Sequence, residues 1–144
     1  MVLWEGSCIV HDTFSQKKLI QLQVEYPSAI VVAHPECPEG ILDLAEYVGS
    51  TAGLVNFVGN SKAEQFIVVT EAGILHKMRN DNPNKQFIPA PPESGCACNE
   101  CPYMKLNTID KIIKCMENMS PKVELSDEII KRSLVPLERM LALG

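Results

Sequence analysis

Cysteine, histidine and carboxylate side chains fall in small groups along this chain: Cys8 and His11 in CIVH, His34, Glu36 and Cys37 in HPEC, and Cys96, Cys98 and Cys101 in GCACNECPYM. Thiolates, imidazoles and carboxylates hold transition metals and move protons. A self-contained zinc site needs four ligands, usually from Cys-x-x-Cys pairs. Only Cys98 and Cys101 have that spacing, with Cys96 just ahead, so Cys8, Cys37 or a histidine would have to complete the set. A redox disulfide between Cys98 and Cys101 is chemically open, but it leaves HPEC and CIVH without a role. An iron–sulfur cluster held by cysteines from separate loops accounts for the distribution better.

Two further groups, Ser50 and Thr51 in GST and Thr70 and Glu71 in VVTE, add hydroxyls and a carboxylate. Each group also has a purely structural reading. Cys8 alone could be a small buried hydrophobe, and His11 alone could tie down a loop. HPE could be a proline-stiffened turn whose glutamate favours a helix N-terminus. GST has the composition of a turn and cap. Glu71 reads as a helix N-terminal charge, with no catalytic role assigned to it. Cys115 and the methionines of the C-terminal helices read as core.

The elements that must position these groups alternate. Val2-Leu3-Trp4 reads as a buried strand, abrupt enough to suggest that the natural domain starts upstream of residue 1. SQKKLIQLQVEY carries Leu19, Leu22 and Tyr26 at helical spacing, with Thr13 or Ser15 as cap. AIVVA (29–33) is an unbroken apolar run suited to a parallel strand covered on both faces. After it, Ile41, Leu44, Ala45 and Val48 predict one core-facing helix. GST then turns into a short segment. FIVVT (66–70) predicts a second such strand running into the helix EAGILHKMRND, and QFIPAPP predicts a last strand. TIDKIIKCMENM sets Ile109, Ile112, Ile113 and Met116 on one face behind Thr108. The tail is helical from Ser126, with Pro136 either kinking it or starting a second helix. Strands alternating with helices imply a parallel sheet layered by helices. Ligands of such sheets bind at the carboxyl edge, where strands hand over to helices. Two of the three histidines and five of the six cysteines fall at those handovers.

Composition sets the outer limits. The chain has 144 residues, 46% apolar and 22% charged, one domain's worth of an ordinary globular protein. No apolar run approaches the ~20 residues of a bilayer span, so no membrane partner is expected. The net charge of −5 comes without basic clusters, which argues against nucleic acid. MVLWEGSC has no basic n-region and no cleavage site. A reducing compartment is therefore expected, the cytoplasm or, in a plant, a plastid.

WEGSCIVHD, VVAHPECPEGILDLAEYVGST, VVTEAGILHKM, CPYMKLNT and VPLERML together resemble the quinolinate synthase (NadA) family, in its carboxyl-terminal portion. The resemblance runs through nearly the whole chain and covers somewhat less than half of a full-length member. It implies a NadA-like three-layer αβα fold, incomplete relative to a family that builds three α/β domains around a central [4Fe–4S] cluster. Residues 1–12 would end the preceding domain, 13–106 would form an α/β domain, and 107–144 a C-terminal helical segment. Cys8 would be the second cluster ligand and Cys101 the third, the first lying in an amino-terminal part that this chain lacks. The cluster would act as a Lewis acid in condensing iminoaspartate with dihydroxyacetone phosphate to quinolinate, a step of NAD biosynthesis. Glu36 would shuttle protons, and His34 would donate to a substrate carboxylate or carbonyl. The HPE turn, Pro35 included, would contact substrate. Ser50 and Thr51 would bind a carboxylate or phosphate, and His11 would support that pocket.

Relatives show Cys-x-x-Cys-x-x-Cys where this chain is one residue short between Cys96 and Cys98. As a lone chain it is expected to be inactive, with apolar faces that seek the missing N-terminal domains. The alternative is a non-catalytic zinc- or iron-binding module that uses Cys96, Cys98 and Cys101.

Overall fold

The computed structural model describes residues 6–93 and 99–143. The strand expected at Val2-Leu3-Trp4 and the cysteines Cys96 and Cys98 lie outside the described residues. The chain divides into two compact units, Met1–Lys105 and Leu106–Gly144.

In the first unit a short helix α1 (Ile9–Asp12) leads into α2 (Gln16–Glu25). There follow β1 (Ile30–Ala33), α3 (Glu39–Leu42), β2 (Tyr47–Val48), α4 (Thr51–Asn60), β3 (Gln65–Val69), α5 (Ile74–Asp81) and β4 (Gln86–Pro89). These four strands pair in parallel, in the order β2-β1-β3-β4. This is the α/β class read from the sequence. The strand side chains alternate between two cores, as the twofold strand period requires. Val31, Ala33, Ile67 and Val69 pack with Leu19 of α2 and Ile41 of α3. Val32, Phe66 and Val68 pack with Leu54 and Val58 of α4 and Leu75 and Met78 of α5. Helices thus cover both faces of the sheet, which explains the unbroken apolar runs of β1 and β3.

The helix expected to carry Ile41, Leu44, Ala45 and Val48 is a correction. It ends at Leu42, and Tyr47–Val48 forms β2 instead. The edge of β1 claims this segment: Glu46 N–H donates to Val31 O (3.0 Å), and Gly49 N–H donates to Ala33 O (3.1 Å). The Glu46 carboxylate accepts from Val31 N–H at 2.7 Å. Leaving such groups buried and unpaired costs about 1–3 kcal/mol each. Helix propensity offers at most ~0.7 kcal/mol per residue for ordinary residues, so pairing wins. Ile41, Leu44 and Ala45 still reach the core, from two elements rather than one. The short segment expected after GST is a further difference, because it is the ten-residue helix α4, capped by the Ser50 side chain accepting from Gly53 N–H at 3.2 Å.

The second unit holds α6 (Ile109–Asn118) and α7 (Asp127–Ala142), capped by Thr108 and Ser126 as expected. Pro136 lies inside one continuous α7 and starts no second helix. The methionines read as core are exposed: Met116 at 72%, Met119 at 79% and Met140 at 61%, while Cys115 is half-buried. Helical periodicity marks a face suited to burial without saying what buries it. No helix among the described residues is long and apolar enough to cross a membrane.

Phe66 is fully buried and stacks on Phe87 at 5.7 Å. Phe66→Ala should therefore lower the stability of the first unit by about 3–5 kcal/mol. The urea midpoint reads this out, and an unchanged midpoint would contradict the packing described.

Candidate metal and substrate site at the carboxyl edge

Because every strand runs the same way, the handover loops all emerge at one edge. The backbone of β1 extends one step past its last residue, His34 N–H donating to Val69 O at 3.1 Å. His34 therefore stands beside Thr70. Cys8 precedes α1 and its carbonyl accepts from the N–H groups of His11 (3.0 Å) and Asp12 (3.1 Å), so the first turn turns His11 inward. The His11 side chain is buried at 7% exposure. Its ring lies flat on that of His34, with centroids 4.2 Å apart and planes 5° from parallel.

His11 Nε2 and Thr70 Oγ1 are hydrogen-bonded at 3.1 Å. Nδ1 faces Glu36 Oε2 at 3.5 Å. That contact is too long for a formed hydrogen bond, and Nδ1 is a buried ring nitrogen without a partner. Burial, followed by the charge of neighbouring His34, holds the His11 pKa below 6.5, although Glu36 pulls the other way. The neutral ring is thus the native form. Glu36 N–H donates to His34 Nδ1 at 3.3 Å, which leaves the His34 proton on Nε2. Glu36 itself is largely exposed and unencumbered.

A cavity of about 490 Å³ opens at this edge, and Cys8, His11, Thr51, Thr70, Glu71 and Cys101 are among its lining residues. The structure thus brings Cys8 and Cys101 to one space, with His11 and Thr51 beside them. Ligand atoms of Cys8, His11 and Glu36 lie within 4.8 Å of one another. Cys101 lines the same cavity but does not join that group. His34 and Glu36 reach the site through His11, whereas Pro35 is an exposed turn residue. Ser50 is spent partly on capping α4.

Cys37 does not join the site. It is buried at 5% exposure in the core, its Sγ donating to Val69 O at 3.6 Å, and burial pushes its thiol up to about 12. It completes no ligand set. Two residues matter more: Asn99, which the sequence reading passed over, and Glu71, which it read as a helix N-terminal charge. Both carboxylate oxygens of Glu71 accept backbone N–H groups, from Gly73 (2.7 Å) and Cys101 (3.3 Å). Asn99, inside CNEC, is buried and donates to Val10 O at 3.0 Å. The one signal for either was its place next to a ligand candidate or a strand end.

The profile of the family described as "NadA: Quinolinate synthetase A protein" matches residues 1–142. Proteins named quinolinate synthase are similar along the whole chain: 52% identical in Gloeothece citriformis, 50% in Synechocystis sp. and 51% in Thermosynechococcus vestitus. The chain spans 45% of the length of the first two and 46% of the third.

Two outcomes check this geometry. Iodoacetamide applied to the folded chain should modify the half-buried Cys8 and Cys101 and spare Cys37, as read by peptide mass analysis. Early labelling of Cys37 would contradict its placement. The unfolded chain takes up the His11 proton more readily than the folded one, so the stability this residue contributes is full above pH 6.5 and is lost as pH falls below it. His11→Gln should flatten that part of the melting profile, and an unaltered pH dependence would contradict it.

Proposed function

Because the chain belongs to the quinolinate synthetase A family, we propose that it is the carboxyl-terminal portion of a quinolinate synthase, an enzyme of NAD biosynthesis. The reaction condenses iminoaspartate with dihydroxyacetone phosphate, expels phosphate and two waters, and closes the pyridine ring. The observation that carries this reading is the shared cavity: thiols from opposite ends of the first unit, Cys8 and Cys101, line one space with a neutral histidine and a threonine at the start of α4.

The donor set fits the [4Fe–4S] cluster that the family implies. The thiols of Cys8 and Cys101 face one cavity of about 490 Å³, and cysteine thiolates from separate loops are the usual ligands of such clusters. Cys8 and Cys101 would hold the cluster together with a third cysteine from the remainder of the polypeptide. When bound, the cluster supplies Lewis-acid chemistry at an iron that no protein residue occupies.

The chain's own residues supply the rest. His34, with its proton on Nε2, donates to a carboxylate or carbonyl oxygen of substrate. Glu36 is exposed and movable, as a proton shuttle must be, and Pro35 stiffens the turn that presents both. Thr51, with the first N–H groups of α4, binds a carboxylate or phosphate, and Ser50 keeps its hydroxyl proton for the same anion. His11 stays neutral, bonded to Thr70, and spaces His34 from the protein interior. The cytoplasm is the proposed location.

The test is a chimera that joins this chain to the amino-terminal portion of the Gloeothece citriformis relative, in a bacterial host without quinolinate synthase. Growth without nicotinate should return, and Cys8→Ala or Cys101→Ala should abolish it while Cys37→Ala should not. Growth undiminished by either ligand change, with the soluble chimera present, would contradict the assignment.

A further inference from the structure

Asn99 is 7% exposed, yet its polar groups go to three different parts of the site. Its Nδ2 donates to Val10 O at 3.0 Å, its Oδ1 accepts from the Thr13 hydroxyl at 3.4 Å, and its carbonyl accepts from Ala72 N–H at 2.8 Å. Val10 lies two residues after Cys8, Asn99 two residues before Cys101, and Ala72 directly after Glu71. The single proton of the Thr13 hydroxyl is shared between Asn99 Oδ1 and the nearer Val10 O at 3.0 Å, which joins both ends of α1 to the same side chain. Glu71 closes the circuit from the other side, one oxygen accepting from Cys101 N–H and the other from Gly73 N–H.

We infer that Asn99 and Glu71 are positioning residues: hydrogen-bonded through Val10, Ala72 and the Cys101 amide, they fix the Cys101 thiol against the Cys8 thiol across the cavity before any metal arrives. The identity of what the thiols hold rests on the proposed function; the alignment itself does not. A helix of four residues cannot orient Cys8 by itself, and Cys101 lies on a loop. A buried amide with its donor and acceptor both engaged specifies one arrangement, because any other leaves a polar group unpaired. Groups that orient ligands matter nearly as much as the ligands. Glu71 lines the cavity, but its two oxygens are tied to backbone N–H groups, so it orients and does not take protons from substrate.

The test uses the unaltered chain, reduced and then freed of reductant under anaerobic conditions, with dibromobimane, which joins two neighbouring thiols. Peptide mass analysis identifies the joined pair. Cys8 and Cys101 should be joined in the parent chain. The yield should fall severalfold in Asn99→Asp, which keeps the shape of the side chain but turns the donor facing Val10 O into an acceptor, and in Glu71→Ala. Thr13→Ser, which keeps the hydroxyl, should restore parent behaviour. Melting curves and single labelling of each thiol separate lost alignment from unfolding. Should Asn99→Asp unfold, Glu71→Gln at its half-buried position still reads the Cys101 arm and should lower the yield less than Glu71→Ala. Folded variants that join the pair as fully as the parent would overturn the inference and leave the proposed function standing. A parent chain that does not join the pair would count against the shared cavity and therefore against both.

Discussion

Four in-register pairs between β1 and β3, ending at Ala33 opposite Val69, are the constraint on which the site depends. That register carries His34 past the last pair to stand beside Thr70, and so brings the HPEC turn next to the VVTE turn. A slip by one residue would exchange the two faces of either strand, sending Phe66 and Val68 to the wrong core. The burial of those side chains thereby enforces the alignment of polar residues one step beyond them. The chemistry at the edge is held by apolar packing in the middle.

Around that edge the protein divides its polar groups into two kinds. His11, Thr70 and Asn99 are buried, and apart from His11 Nδ1 their side-chain partners are protein groups. His34, Glu36 and Thr51 remain open to the cavity or to solvent. The first set is suited to holding a geometry and the second to meeting a substrate. His11 belongs to both, since its buried ring is the surface on which His34 lies, and its lowered pKa keeps that ring uncharged in the stack.

Much of this was legible in the sequence, and the failures have identifiable causes. The strands at 30–33, 65–69 and 86–89 announced themselves as apolar runs, and Ser15, Thr108 and Ser126 as caps. Placing Cys8, His11, His34 and Cys101 at one edge needed only the rule that parallel strands share a carboxyl end. The span from Ile41 to Val48 misled because a helical stripe and a turn followed by an edge strand can bury the same residues. Cys37 looked like a ligand because it follows a strand, but the next turn aims it into the core. Asn99 and Glu71 were invisible as partners because their contacts link residues far apart in the chain, which spacing cannot encode.

The central claim is that the thiols of Cys8 and Cys101 share one iron–sulfur body. Anomalous scattering at the iron edge, from anaerobic crystals of the chimera that completes this chain, tests it most directly. The account predicts an iron peak inside the cavity with both sulfurs bonded to it. Iron or zinc held by Cys96, Cys98 and Cys101 with Cys8 unbound would contradict it.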